Sequence, residues 1–215
     1  LHKMSMMAHR IRARLNARSF GLNVNVTTPY GADFDGDEMN AHVCRSLQSV
    51  YELKKLAAVP TQVVSPQASR PVMGLVQDSL LAMYRITTEK RPDYHMMNLM
   101  NIMHLTGWTS TYQGLIIEPT RVEDGVPVWD GQRFISSYFP KISYVNKKDD
   151  NNLLIKNGRI ESCYFDKNSF GAKANSVIHV TWIDYGPETT RHLFDNTMNT
   201  ACQWLLIDGF SVGLI

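Results

Sequence analysis

Asp33, Asp35 and Asp37 place three carboxylates at alternate positions of the stretch Ala32-Asp33-Phe34-Asp35-Gly36-Asp37-Glu38-Met39-Asn40. Residues two apart in a flat strand share a face but lie roughly 6.5 Å apart along it, too far for three side chains to meet. Convergence requires the backbone to curl, and Gly36 supplies the freedom of φ for such a bend. Three carboxylates within a few ångströms repel, and at least one holds its proton more tightly unless a cation sits among them. A hard, oxygen-seeking divalent ion such as Mg²⁺ is the economical partner.

Three chemistries use closely spaced aspartates, and spacing separates them. An EF-hand loop wants glycine at its sixth position and glutamate at its twelfth. Counted from Asp33, those positions hold Glu38 and Cys44, so the calcium reading fails twice. An aspartyl-phosphate transferase of the haloacid-dehalogenase type runs from a hydrophobic strand directly into D-x-D-G, with the first aspartate as nucleophile. Here residues 29–32 intervene, and a third aspartate follows that such chemistry does not use. Two-metal nucleotidyl transfer needs one ion held by several carboxylates and a second that can arrive with the phosphates of a nucleotide. Three aspartates on one rigid turn suit the first of those ions.

The elements that must position this loop can be read outward from it. Residues 20–28 alternate, with Phe20, Leu22, Val24 and Val26 on one side, which predicts a half-buried strand. Pro29-Tyr30-Gly31 then breaks the strand and passes the chain to the aspartates. Residues 46–59 predict a helix with Ser46 as N-cap and Pro60 as stop. Three prolines in 60–71 predict an irregular crossing segment, placed as a domain boundary. A second helix is expected over 72–87, and a third opens at Pro92 and Asp93 and ends at Gly107. Loops and short strands fill 108–130, with a turn at Glu123-Asp124-Gly125, and a short helix lies around 132–138. Asn157-Gly158 between apolar runs predicts a type I′ hairpin. Residues 175–206 are mainly helical, split near Gly186-Pro187. The fold class is α+β, with a strand-borne metal loop first and a helix-rich second domain.

Bulk properties restrict the class further. The chain has 215 residues, 44% of them hydrophobic, and a net charge of only +2, enough for one large or two small domains with a real core. The total charge argues neither for nor against nucleic acid. Residues 1–19, however, carry Lys3, His9, Arg10, Arg12, Arg14 and Arg18 with no acidic residue. That cluster reads either as a phosphate-facing surface or as a solvated basic face. Cys44, Cys163 and Cys202 are widely spaced, which points to a reducing compartment and no zinc ribbon. No apolar run reaches the ~20 residues of a membrane span, so no membrane partner is expected. Asn25-Val26-Thr27 matches a glycosylation sequon and is taken as chance. The seven histidines show no ligand spacing. The start at Leu1 and the apolar end at 210–215 suggest a piece of a longer chain.

The stretch from Thr28 to Asn40 closely resembles the signature N-A-D-F-D-G-D of the largest subunit of multi-subunit DNA-dependent RNA polymerases. Leu1-His2-Lys3-Met4-Ser5-Met6-Met7, Ala58-Val59-Pro60 with Val64-Ser65-Pro66-Gln67, Met73-Gly74-Leu75-Val76-Gln77-Asp78, and Trp204-Leu205-Leu206 with Gly209-Phe210-Ser211 are similar to further parts of that family. Glu38-Met39-Asn40 resembles the eukaryotic, archaeal and large-DNA-virus type. The resemblance implies that 1–61 is the second half of a double-psi β-barrel carrying the catalytic loop. It implies that 62–215 is a pore domain leading toward the funnel. Asp33, Asp35 and Asp37 would hold a permanent Mg²⁺ and help with a second, nucleotide-borne ion. Lys3, Arg10 and Arg12 would lie near nucleic-acid phosphates. The implied partners are the second-largest and other polymerase subunits, template DNA, the RNA transcript and nucleoside triphosphates. The implied location is the nucleus or, for a viral member, the virion or a cytoplasmic viral factory. One departure stands beside the motif: the family's asparagine before Ala-Asp is Gly31 here, which bears on sugar discrimination. A reading of another class is a non-catalytic nucleic-acid-binding module whose aspartates are structural.

Overall fold

The computed structural model describes residues 4–88, 94–95, 101, 118–146, 153–162, 164–211 and 213, with backbone alone at 94–95. It mixes helices and three small antiparallel sheets around one apolar core, an α+β fold. The core gathers Leu75, Met83, Ile86, Phe134, Ile135, Ile155, Phe165 and Phe170 with residues of the C-terminal helix. Phe165 and Phe170 meet edge to face with ring centroids 4.6 Å apart, and Phe139 packs against both.

The first 61 residues hold little regular structure. A 3₁₀ turn, Val24–Val26, runs into the single-turn helix α1, Thr27–Tyr30. The helix α2, Leu47–Glu52, continues as a π-helical segment, Leu53–Ala57, followed by a 3₁₀ turn, Val59–Gln62. Ser46 caps α2 as expected, its hydroxyl accepting from Ser49 N–H at 3.1 Å. Pro60 sits inside the 3₁₀ turn instead of ending the helix. The strand expected over 20–28 is corrected: among described residues of 4–61, backbone pairing is confined to one parallel bridge, Ala8 with Ala58. Local bonds won over the alternation. The Asn23 side chain accepts from Asn25 N–H at 2.9 Å and the Thr27 hydroxyl donates to Val24 O at 2.7 Å, both bending the chain.

Residues 60–71 are more ordered than expected. Strands β1 (Val64–Ser65) and β2 (Arg70–Pro71) pair antiparallel. Residues 72–76 then stay non-helical, because Val72 N–H bonds to Val63 O and Leu75 N–H to Phe170 O. The second helix, α3, therefore spans Gln77–Thr88 and not 72–87. The expected third helix lies largely outside the described residues. Its opening is corrected, since Tyr94–His95 forms the strand β3, paired antiparallel with Val128 and Trp129. Strands β4 (Arg121–Glu123) and β5 (Val126–Trp129) join through the turn at Asp124 and Gly125, whose φ values are 49° and 81°. The short helix α4, Gly131–Ser136, has Asp130 as its N-cap, accepting from Arg133 N–H at 2.7 Å.

The third sheet orders β6 (Tyr144–Val145), β7 (Leu154–Lys156) and β8 (Arg159–Ser162). Its hairpin turns at Asn157 and Gly158, both at positive φ, as the dipeptide predicts. After α5, Lys167–Phe170, the chain ends in α6, Val177–Asp208. The break in α6 falls where expected: Gly186 has φ 83° and ψ −178°, and Pro187 opens the next turn. The two halves of α6 reach different parts of the first 61 residues. Trp182 Nε1–H donates to Pro60 O at 3.2 Å before the break, and Met198 Sδ accepts from Asn25 Nδ2 at 3.4 Å after it. No described helix is long and apolar enough to cross a membrane.

Candidate metal centre

The aspartate loop hangs from α1. Val26 is buried in the shared core and Pro29 is buried beneath the turn. Gly31 follows in the left-handed region at φ 61° and ψ 29°. Its N–H bonds to Thr28 O at 3.1 Å and Ala32 N–H bonds to Thr27 O at 3.0 Å, the Schellman pairing that ends a helix. A single residue, Ala32, therefore separates a fixed backbone turn from Asp33.

Beyond that turn the backbone curls as the spacing demands. Asp33 N–H donates to Asp37 Oδ2 at 3.0 Å, Asp35 N–H reaches Asp33 Oδ1 at 3.4 Å, and Gly36 adopts φ 124°. The loop brings one carboxylate oxygen from each of Asp33, Asp35 and Asp37 within 4.8 Å of the others, and all three residues are exposed. The Asp35 carboxyl is held above the ordinary carboxylate range. The first cause is its hydrogen bond with the Asp33 side chain, then the Asp33 charge, with slight desolvation and the Asp37 charge adding to it.

This donor set fits a hard divalent cation. Adjacent oxygens in an octahedral Mg²⁺ shell lie about 3 Å apart and opposite ones about 4 Å, separations comparable to the 4.8 Å limit within which these three oxygens lie. Exposure leaves the remaining coordination positions to water or to substrate oxygens. Among the described residues, this is the one group of three acidic, histidine or cysteine side chains close enough to share an ion.

Arg10 and Arg12 are exposed and form no ion pair among the described residues; Lys3 lies outside them. The segment before Arg10 is tied down on two sides. Ala8 N–H donates to Ala57 O at 2.7 Å, and Val59 N–H donates to Ala8 O at 3.4 Å. His9 Nε2 and the Tyr30 hydroxyl are 2.6 Å apart, with rings 5.7 Å between centroids. Burial lowers the His9 pKa. Burial also raises that of Tyr30, against which a hydrogen bond from the Met7 backbone works. Sequence reading passed over this pair, treating His9 as one more basic residue and Tyr30 as part of a chain break. The two are 21 residues apart, and nothing in their spacing marks a contact.

A loop of three convergent aspartates on an α+β chain defines a candidate metal-dependent phosphoryl-transfer centre, and the comparisons give its family. Residues 1–59 match RNA polymerase Rpb1, domain 2, and residues 62–215 match RNA polymerase Rpb1, domain 3. The chain belongs to the RNA polymerase Rpb1 family. Two curated relatives from Trypanosoma brucei brucei are named DNA-directed RNA polymerase II subunit RPB1-A and RPB1-B. Each is 35% identical over 225 aligned positions that take in all of this chain. The chain spans 12% of the length of those relatives.

Proposed function

We propose that this chain carries the catalytic metal loop of a DNA-directed RNA polymerase largest subunit, acting in template-directed RNA synthesis from ribonucleoside triphosphates. The observation that carries the reading is the convergence of Asp33, Asp35 and Asp37 on one exposed turn, within a chain matched end to end by the Rpb1 family. The three carboxylates would hold Mg²⁺, with a second ion arriving on the nucleotide. When bound, the metal supplies positive charge that makes the RNA 3′-hydroxyl more acidic and neutralises charge developing on the phosphate. The chain's own part is to hold the donors still. Asp33 N–H fixes Asp37, Asp33 in turn accepts from Asp35 N–H, and the Gly31 turn joins the loop to the core.

The family matches, which meet at residues 59 and 62, support a division into an active-site portion over 1–61 and a pore domain over 62–215. Half of the exposed large apolar side chains among the described residues, from Met6 through Leu56, belong to the first portion. Such density favours packing against further protein. It supports completion of a double-psi barrel by other parts of the subunit and of the site by the second-largest subunit. Arg10 and Arg12, exposed and without an ion pair among the described residues, would face phosphates of template DNA or of the transcript, in an enzyme of the nucleus.

The test is Asp35→Asn in the complete polymerase. Loss of nucleotide addition with template binding retained supports the proposal. Normal elongation by that variant overturns it in favour of a nucleic-acid-binding module with structural aspartates.

A further inference from the structure

We propose that Tyr30 is a positioning residue for the aspartate loop, held by His9, and that this pair sets the metal ligands against the basic segment beginning at Arg10. The inference rests on the polymerase reading for its functional consequence, though not for its geometry. Tyr30 is the last residue of α1, and the Schellman bonds of Gly31 and Ala32 lock the backbone that follows. Only Gly31 and Ala32, both tied back to α1 by these bonds, separate the phenol's residue from Asp33. On the other side, His9 directly precedes Arg10 and follows Ala8, which is clamped by its bonds with Ala57 and Val59.

The charge states suit a directed bond. With the proton of the neutral imidazole on Nδ1, the Tyr30 O–H donates to His9 Nε2 across 2.6 Å, while the phenol oxygen accepts from the Met7 backbone. Removing the hydroxyl leaves the α1 turn attached to the core by Val26 and Asn25 but frees it from the 7–9 segment. The ring contact alone, tilted at 30°, sets no direction for the tie. A bond of 2.6 Å does.

The experiment uses the complete polymerase with Tyr30→Phe, His9→Leu, His9→Gln and the Tyr30→Phe/His9→Leu double variant. Hydrogen exchange is followed over residues 27–37 in metal-free buffer, and the Mg²⁺ concentration for half-maximal synthesis is measured separately. Y30F and H9L should each speed exchange of the loop about fivefold, the size expected for one neutral hydrogen bond. Both should raise the half-saturating Mg²⁺ concentration more than they lower the rate at saturating Mg²⁺. H9Q, whose amide oxygen can accept the phenol proton, should restore both. The double variant should be no worse than either single one, because the two side chains share one interaction. Unchanged exchange in Y30F and H9L, or additive losses in the double variant, overturn the proposal. Asp35→Asn run in parallel separates the two claims. Full synthesis by that variant sinks the polymerase reading, whereas its inactivity beside a wild-type Y30F sinks only the positioning role.

Discussion

Asp33 and Asp37 close the metal loop on itself: the backbone N–H of the first donates to the carboxylate of the last at 3.0 Å. Asp37 thus has two tasks, to shape the loop and to offer an oxygen to a cation, and substitutions separate them. Asp37→Asn keeps an oxygen that can accept from Asp33 N–H while losing the charge. Asp37→Ala loses both. Mn²⁺ binding to the assembled protein, read by electron paramagnetic resonance, should weaken in both variants. Exchange of the Asp33 amide should accelerate, by about fivefold, in the alanine variant alone.

Gly31 occupies a backbone conformation that asparagine tolerates and branched residues do not. Gly31→Asn, which installs the residue typical of the resembling family, should change unfolding free energy by less than about 0.5 kcal/mol. Gly31→Val should cost about 1–2 kcal/mol, the penalty of a left-handed residue with a bulky side chain. Urea unfolding of the two variants checks the difference. An equal loss in both would mean that the turn has another conformation.

The break at Gly186 lies in a φ/ψ region essentially reserved for glycine. Nothing lies within 4 Å of where its Cβ would be, so a substitution there meets strain without a steric clash. Gly186→Ala should destabilise by about 1–3 kcal/mol. Because the two halves of α6 hold Pro60 and Asn25, the Trp182 indole environment should change with it, a shift visible in tryptophan fluorescence.

Tyr144 gives a prediction at alkaline pH. Burial first, and the Asp166 charge second, push its phenol from 10.0 up to about 12. The folded state therefore holds this proton more tightly than the unfolded chain does. Its contribution to stability is complete below pH 10 and lost as pH rises from there through about 12. Tyr144→Phe should flatten that part of the stability curve, as measured by thermal melts at stepped pH.

What was legible in the sequence was local. The aspartate triplet, the cap at Ser46, the Asn157-Gly158 turn and the Gly186-Pro187 break each place a short-range hydrogen bond or a backbone restriction within a few residues. Such signals hold whatever surrounds them, because the groups that satisfy them are already neighbours in the chain. The alternation at 20–28 is a different kind of signal. A strand exists only where another backbone pairs with it, and here the Asn23 and Thr27 side chains drew the same segment into turns while Phe20 stayed exposed. The start of α3 was decided likewise by distant carbonyls, those of Val63 and Phe170, which took the N–H groups of Val72 and Leu75. The metal loop divides along this line. Residue type and spacing alone determined that three carboxylates could converge only on a curled backbone, where one holds its proton more tightly unless a cation joins them. Only the tertiary structure decided which distant groups meet the turn that precedes that curl: Tyr30 lies against His9, 21 residues away, and Asn25 donates to Met198, 173 residues away.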